Sequence, residues 1–341
     1  MDTNINGNGI ESIKTLQQAV TYFSDLDNAH RFFTAMRWST GVVCPRCGSR
    51  DVTFSSKYRR FECAHKHDRR QFTVKTGTIM EDSPLGLDKW AVAFWLEVNA
   101  KNSISSYEIH RAIGITQKSA WFMLHRIRLA VKSGSFNKMG GNGSVVEVDE
   151  TYIGGKAINM HKDRKARTIT SRGVGGKTAV MGLLERHDGK KHSTVRAKVI
   201  PDRFANTLHP IIFKNVELGT TIYTDTLAGY RGLNPMFVHD FVDHAEAYVK
   251  GAVHTNGLEN FWALFKRCIK GTHVSIEPFH LEAYVDSEAF RFNNRKMDDK
   301  QRFLLAVKGA SGKRVTYKEL IGAMESHPSS GNNAGDASLP N

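Results

Sequence analysis

The sequence predicts a multi-domain α/β protein in which small N-terminal modules precede a core built on a mixed β-sheet. Three observations support this class: a basic segment with cysteines near the N-terminus, two helical stretches after it, and then β-branched runs interspersed with further helices. With 341 residues, the chain is long enough for two or three domains that each bury a core. The predicted units are N-terminal helices at 1–39, a cysteine-containing module at 40–80, a helical region at 85–133, a linker at 134–144, the α/β core at 145–310, and a C-terminal helix with a disordered tail at 311–341.

The charge of the chain indicates a polyanionic partner. The formal net charge is +14 and the pI is near 9.6, an excess that attracts phosphate and repels other basic surfaces. No apolar run approaches the roughly 20 residues that cross a bilayer, and the polar N-terminus lacks a signal-peptide core. Four cysteines without a disulfide-like pattern fit a reducing compartment. We therefore expect a cytoplasmic protein that binds nucleic acid, with no membrane segment and no small-molecule substrate.

The module at 40–80 has the ligand spacing of a zinc ribbon. Cys44 and Cys47 form a Cys-x-x-Cys turn that aims two thiolates at one point, and tetrahedral zinc needs a second pair from another turn. Cys63 supplies a third thiolate, and we expect His67 to complete the set, with His65 as the alternative. Positions 44 to 75 contain nine Lys or Arg residues and three Asp or Glu residues, so the ribbon also offers phosphates a basic surface.

Two helical stretches between about 87 and 131 contain the features of a helix-turn-helix. The first helix of the motif is predicted to end at Gly114, where a left-handed turn residue is needed, and Thr116 is predicted to cap the second helix. The start of the second helix would then meet base edges in a DNA groove. The candidate DNA-binding residues at that start are Gln117, Lys118 and Ser119.

The core at 145–310 predicts the order of elements found in a ribonuclease-H-like fold: three strands, a helix, a strand and then helices. The predicted strands cover 145–152, 178–185, 193–199 and 220–225, and the predicted helices cover 202–214, 257–269, 279–294 and 299–308. Asp188 and Gly189 are predicted to form a hairpin turn between the second and third strands. The tail from Ser326 is rich in Ser, Gly, Asn and Pro, a composition that predicts disorder.

Three acidic residues are placed at the ends of elements of this core. Asp149 and Asp225 lie at or near the ends of predicted strands, and Glu259 lies one turn into an amphipathic helix. By the two-residue period of a strand, Glu147 and Asp149 share one face, whereas Glu150 lies on the other. Two unit charges about 4 Å apart interact by roughly 4 kcal/mol at an effective dielectric near 20. Clustered carboxylates therefore require cations, and oxygen ligands favour Mg²⁺ or Mn²⁺.

These motifs resemble those of bacterial insertion-sequence transposases. Specifically, they resemble the insertion-sequence family numbered fifteen-ninety-five, which joins a zinc ribbon to a DDE catalytic core with a ribonuclease-H-like fold. The resemblance covers about residues 15–310, and the segments that carry it are Trp38–Gly48, Gln71–Ile79, Val148–Gly155 and His254–Arg267.

The resemblance implies a DNA transposase that transfers DNA strands with the help of divalent metal ions. Asp149, Asp225 and Glu259 would be the three catalytic acids and would hold two Mg²⁺ or Mn²⁺ ions, while the ribbon would hold a structural Zn²⁺. Asn256 is a rival for the third position, because some relatives have an asparagine assigned there. The helix that carries Glu259 would also contact DNA phosphate through Lys266 and Arg267.

The same resemblance implies partners and a location. The DNA partners would be the terminal inverted repeats of the element and the target DNA. Because two element ends must be joined, we expect the protein to be at least dimeric on DNA, in the bacterial cytoplasm and associated with the nucleoid.

Two alternatives from other classes remain at this point. A regulator with a zinc ribbon and a helix-turn-helix, but without catalysis, would explain the first 131 residues and leave the three acids of the core unexplained. A nuclease on the same fold would cut DNA without joining it. Cleavage and joining assays separate the three possibilities.

Overall fold

The structure is a computed structural model that describes residues 13–132, 137–141, 143–155, 162, 175–187, 192–234, 236–242 and 254–322. The predicted turn at 188–189 and the predicted disordered tail lie outside these residues. Within the described part of the chain, no helix combines the length and the apolar composition that a bilayer crossing requires.

The N-terminal part combines two helices with a small antiparallel sheet. Helices α1 (Leu16–Ser24) and α2 (Leu26–Arg37) precede strands β1 (Val52–Ser55), β2 (Arg60–Cys63) and β3 (Gln71–Phe72), which pair in the order β1-β2-β3. The cross-strand rings of Phe54, Phe61 and Phe72 have neighbouring centroids 4.9 and 5.5 Å apart. This aromatic face joins the sheet to the core that it shares with α2, because the ring centroid of His30 lies 5.1 Å from that of Phe54 and 5.7 Å from that of Phe61.

The helical region contains the predicted turn between two helices. Helix α3 spans Leu87–Asn99, α4 spans Ser106–Ile113 and α5 spans Gln117–Val131. Gly114 ends α4 in the left-handed conformation, with φ 62° and ψ 50°, and the Thr116 hydroxyl accepts a hydrogen bond from the Ser119 amide at 3.1 Å. The turn and the cap that the sequence predicts are therefore confirmed.

The core is a mixed five-stranded sheet in the order β6-β5-β4-β7-β8. Strands β4, β5 and β6 form an antiparallel meander, and β7 and β8 run parallel to β4. The strands are β4 (Val145–Ile153), β5 (Thr178–Glu185), β6 (Thr194–Ile200), β7 (Thr221–Asp225) and β8 (Val238–Val242), and the helices are α6 (Ala205–Asn215), α7 (Asn256–Cys268), α8 (Leu281–Asn293), α9 (Asp299–Lys308) and the short α10 (Tyr317–Leu320).

The predicted α/β class is confirmed, and the order of elements is that of a ribonuclease-H-like core. The edge strand β8 was not predicted from the sequence. Its residues alternate poorly, since exposed Val238 and Phe241 flank the polar pair His239 and Asp240, and an edge strand with little burial leaves a weak periodic signal.

Helices cover both faces of this sheet. On one face, α6 packs against Val146 and Val148 of β4 and Ile222 of β7. On the other face, α7 and α8 pack against Val180 and Leu184 of β5. Because side chains alternate along β4, Glu147 and Asp149 point towards α7, whereas Val146 and Val148 point towards α6.

The C-terminal helices join the core of the N-terminal part. Phe303 of α9 packs against Phe23 of α1, Phe32 of α2 and Trp95 of α3, and Phe290 of α8 is buried in the same cluster. Buried ionic groups accompany this packing: Glu97 of α3 accepts from Arg128 of α5 with 3.0 Å between Oε1 and Nε, and Arg291 of α8 donates to the Glu97 carbonyl at 3.3 Å. Helices from distant parts of the sequence therefore share one core.

The predicted linker at 134–144 is described in part. Met139 is buried in the core under α6, and its backbone forms a bridge with Val216. The amide of Gly141 donates to the Thr220 hydroxyl at 3.0 Å. These residues of the predicted linker are therefore held against the sheet, next to the start of β7.

Candidate functional site

Four candidate ligands of the ribbon converge at the end of β2. One ligand atom from each of Cys44, Cys47, Cys63 and His67 lies within 4.8 Å of the others. The Cys44 Sγ is 3.4 Å from the His67 Nε2, and the Cys47 Sγ is 3.6 Å from the Cys63 Sγ. The His67 Nδ1 is 2.9 Å from the Asp68 carbonyl oxygen, so a proton on Nδ1 leaves Nε2 free to act as a ligand.

This donor set fits tetrahedral zinc. Three cysteine sulfurs and one imidazole nitrogen are a known structural zinc set, and the convergence occurs at two turns, as in a zinc ribbon. Burial would raise the pKa of the Cys44 thiol, but backbone hydrogen bonds from Arg46 and Cys47 lower it to about 7, which favours the thiolate form. His65 is exposed and is not part of this group. The geometry therefore selects His67 from the two histidines considered.

A second group of ligands lies in the core, where β4 and β7 run side by side. Carboxylate oxygens of Asp149, Glu150 and Asp225 lie within 4.8 Å of one another. In the parallel register Glu147 pairs with Tyr223, so continuing the register by two residues brings Asp149 beside Asp225. Because β7 ends at Asp225, the longer side chain of Glu150 can approach from the other face around the end of that strand.

Burial, with a smaller contribution from neighbouring acids, changes the protonation of Asp149 and Glu150. Burial, and then the charge of Asp225, raises the pKa of Asp149 to about 6. Burial also raises the pKa of Glu150 to about 7, against the hydrogen bond that the Tyr230 hydroxyl donates to it. Three hard oxygen donors that repel one another are a donor set suited to Mg²⁺ or Mn²⁺.

Helix α7 faces this acidic group. The Trp262 indole Nε1 donates to Asp149 Oδ2 at 3.0 Å. Glu259 lies one turn earlier on the same helix, and its charge contributes to the raised pKa of Asp149. Its carboxylate is not within the 4.8 Å group, and Asn256 is the first residue of the helix. Both side chains are exposed beside the acidic group rather than buried in the core.

The candidate DNA contacts lie on two surfaces. Lys266 and Arg267 are exposed in the last turns of α7, beyond the acidic group. At the start of α5, Gln117 donates to the Ser106 hydroxyl at 2.8 Å, and the Lys118 ammonium lies 4.5 Å from the centre of the Tyr317 ring. The Ser119 hydroxyl accepts a hydrogen bond from the Thr116 hydroxyl at 2.9 Å. These residues of α5 therefore make local contacts within the chain while remaining at least partly accessible.

Sequence reasoning did not assign Glu150, Tyr230 or Trp262 to the site. The sequence places Glu150 on the face of β4 opposite to Asp149, and the strand does have its residues in that order. The acidic group lies at the end of β7, however, where side chains from both faces of the sheet can reach it. The acidic pair at 149–150 was the available signal. The contact of Trp262 with Asp149 spans 113 residues and has no local signal.

Comparisons with known protein families match both the ribbon and the core of this chain. Residues 25–68 match the model of a transposase zinc-ribbon domain. Residues 140–293 match the model of an ISXO2-like transposase domain. The first match contains all four ligands of the ribbon, and the second contains the acidic group and helix α7.

Two relatives extend the comparison. An uncharacterized protein in transposable element ISH50 of Halobacterium salinarum is 27% identical over 274 residues, which cover 75% of this chain and 87% of that protein. An uncharacterized transposase-like protein of Haemophilus influenzae is 32% identical over 100 residues, which cover 29% of this chain and 80% of that protein. The chain therefore belongs to the insertion-sequence transposases of family fifteen-ninety-five, with a transposase zinc ribbon followed by a DDE transposase domain.

Proposed function

We propose that this transposase binds the terminal inverted repeats of its own insertion sequence and catalyses metal-dependent cleavage and transfer of DNA strands. The observation that carries the proposal is the convergence of Asp149 and Glu150, in the middle of β4, with Asp225 at the end of β7, beside a helix with exposed basic residues. In a regulator that only binds DNA, half-buried carboxylates that repel one another would lower stability and serve no function.

Asp149 and Asp225 are the proposed central ligands of two Mg²⁺ or Mn²⁺ ions. They lie on the same face of neighbouring strands, so both carboxylates can reach the same ions. Glu259 is the proposed third catalytic acid, because it lies on α7 one turn before the residue that contacts Asp149, and its charge acts on Asp149. Bound divalent ions would activate water and then a 3′-hydroxyl for in-line attack on a phosphodiester and would stabilise the charge that develops.

Other parts of the chain have proposed roles in DNA binding. Lys266 and Arg267 extend the face of α7 beyond the acids, where they would neutralise phosphates near the cleaved bond. The start of α5, with Gln117, Lys118 and Ser119, is the proposed reader of the inverted repeat. The ribbon would hold one structural zinc at Cys44, Cys47, Cys63 and His67. The protein would act on two element ends and one target as a dimer or larger oligomer.

The test uses the purified, zinc-loaded full chain with Mg²⁺ or Mn²⁺. The substrate is a labelled duplex with the terminal inverted repeat of the element that carries the gene, and the target is a plasmid. Wild-type protein should first nick the end of the repeat and then join it to the plasmid. Asp149→Asn should abolish both steps and leave binding of the duplex unchanged within about twofold, because the carboxylate would be needed for metal and not for the duplex.

Asp240→Asn is the matched control, since Asp240 is an exposed acid on the neighbouring strand β8. It should retain both steps. Binding without any cleavage by wild-type protein would support the regulator and contradict the proposal, and cleavage without joining would support the nuclease. Full activity in Asp225→Asn would contradict the assignment of the metal ligands.

The same assay decides between Glu259 and the other candidates for the third acid. Glu259→Gln should abolish cleavage, whereas Asn256→Ala should retain it. If Glu150→Gln abolished cleavage and Glu259→Gln did not, Glu150 would be the third catalytic acid in place of Glu259.

A further inference from the structure

Glu147 is a buried acid of β4 that the proposed chemistry does not use. It lies two residues before Asp149, on the same face of the strand, and its side chain is 1% exposed. A buried carboxylate is costly unless charge and hydrogen bonds compensate for its lost hydration. Its partners therefore indicate what it does.

Both oxygens of this carboxylate are bound. The Arg186 Nε donates to Glu147 Oε1 at 2.6 Å, and the backbone amide of Leu258 donates to Oε2 at 2.9 Å. Arg186 also reaches the next segment of the chain, because its Nη2 lies 2.6 Å from the His254 Nδ1. One carboxylate thus connects the end of β5 and the start of α7 to β4.

The carboxylate of Glu147 caps the first turn of α7. The residue before the helix, Thr255, makes no side-chain hydrogen bond to the first turn, so Glu147 takes the place of a capping residue there. A negative charge at a helix N-terminus is also favourable. Gly257 permits the approach, because a Cβ at that position would lie 2.8 Å from Glu147 Oε2.

A second bond joins the same helix to the same strand one turn further along. The Trp262 indole donates to Asp149 Oδ2, so the hydrogen bonds at Leu258 and Trp262 enclose Glu259 between them. Two such bonds fix the position of α7 along its own axis and its rotation about that axis, relative to β4. A helix fixed at only one of these points could still rotate or slide.

We infer that Glu147 is a positioning residue: its carboxylate holds the start of α7 against β4 so that Glu259 meets the ions held by Asp149 and Asp225. The inference rests on the proposed function for the role of Glu259. Glu147 itself touches neither substrate nor metal in this arrangement, since its oxygens are occupied by Arg186 and Leu258.

The test measures the affinity of the zinc-loaded full chain for Mn²⁺, by titration without DNA. Glu147→Gln keeps the shape of the side chain and removes its charge, so the domain should stay folded, which thermal unfolding verifies. We expect Mn²⁺ affinity to fall about tenfold, a typical effect of losing a residue that orients a metal ligand. Hydrogen exchange at the Leu258 amide should become faster in the same variant.

The control is Glu282→Gln. Glu282 also links a helix to a strand of this domain, because its Oε2 accepts from the Val199 amide at 2.7 Å, but it lies on α8 and β6. It should leave Mn²⁺ affinity unchanged. A loss of affinity equal to that of Glu147→Gln would mean that general loosening of the domain, and not the position of α7, is responsible, and would overturn the inference.

The decisive measurement is the double variant with Glu259→Gln. If Glu147 acts through Glu259, then adding Glu147→Gln in that background should change Mn²⁺ affinity by less than about twofold. An equal tenfold loss in both backgrounds would overturn the inference, as would wild-type affinity in Glu147→Gln. Because Mn²⁺ binding is measured without DNA, failure of wild-type protein to cut DNA would contradict the proposed function alone.

Discussion

The carboxylates of Asp149, Glu150 and Asp225 should lower the free energy of unfolding at neutral pH when no divalent cation is present, and Asp225→Asn should reverse part of this effect. The pKa of Asp149 rises from 3.8 to about 6, and that of Glu150 rises from 4.5 to about 7. A carboxyl group with a raised pKa binds its proton more tightly in the folded state than in the unfolded state. Its contribution to stability is therefore fully present below pH 4 and is lost as pH rises to about 7.

The magnitude follows from the size of the shifts. One pKa unit corresponds to about 1.4 kcal/mol, so each of the two acids costs at most about 3 kcal/mol at pH 7.5. Burial is the main cause for both, and the charge of Asp225 is a smaller one. We therefore expect Asp225→Asn to raise the free energy of unfolding by on the order of 1 kcal/mol at pH 7.5, which corresponds to a Tm increase of roughly 2–4 °C.

Thermal unfolding of the zinc-loaded protein at pH 5.0 and 7.5, with and without Mn²⁺, measures both effects. Mn²⁺ at a hundred times its Kd should stabilise wild-type protein by about 2.7 kcal/mol. Asp225→Asn should be more stable than wild type without Mn²⁺ at pH 7.5, should gain little from Mn²⁺, and should lose its advantage at pH 5.0. Asp240→Asn should behave like wild type.

Two results would refute this reasoning. If Asp225→Asn were less stable than wild type at pH 7.5 without Mn²⁺, the acids would not repel one another as their distances indicate. If Mn²⁺ stabilised wild type and Asp225→Asn equally, the cation would bind elsewhere.

Three further predictions concern the rest of the chain. His67→Ala should lose the zinc of the ribbon and His65→Ala should retain it, as metal content per chain will show; loss of zinc in His65→Ala would contradict the ligand assignment. Glu97→Gln should lower the free energy of unfolding by roughly 3–5 kcal/mol in urea titrations, because Glu97 is fully buried and its loss leaves buried arginine charge uncompensated; a change below about 1 kcal/mol would refute this. Burial, and then the charge of Arg128, lowers the pKa of His125 to about 2, so its stabilising contribution is present above pH 6.5 and is lost on acidification. His125→Gln should therefore show a dependence of unfolding free energy on pH that is weaker by up to about 1.4 kcal/mol per pH unit between pH 6.5 and 5, and an identical slope would contradict the buried neutral state.

Much of the fold could be predicted because it depends on neighbouring residues. Gly114 ends a helix and Thr116 starts one through contacts within a single turn, and the spacing of apolar residues places most helices and strands to within a few positions. The ribbon is a similar case, since Cys44 and Cys47 belong to one turn. Among the strands of the core sheet, β8 was absent from the prediction, because little of it is buried.

The candidate site could be predicted only in part. Asp149 and Asp225 were found because each ends a β-branched run, and the parallel register brings them together. The nearness of Glu150 depends on where the neighbouring strand stops, which no pattern within β4 records. Whether Glu259 joins them depends on the placement of an entire helix.

The sequence by itself determined the zinc-ribbon and transposase modules, the three thiolates of the ribbon and two of the candidate acids, because these follow from residue type and spacing over a few positions. The tertiary structure decided that Glu147 meets the amide of Leu258, 111 residues away, and that Trp262 reaches Asp149. Such contacts depend on how α7 packs on the sheet, which is governed by the burial of its apolar face and not by the residues beside either partner.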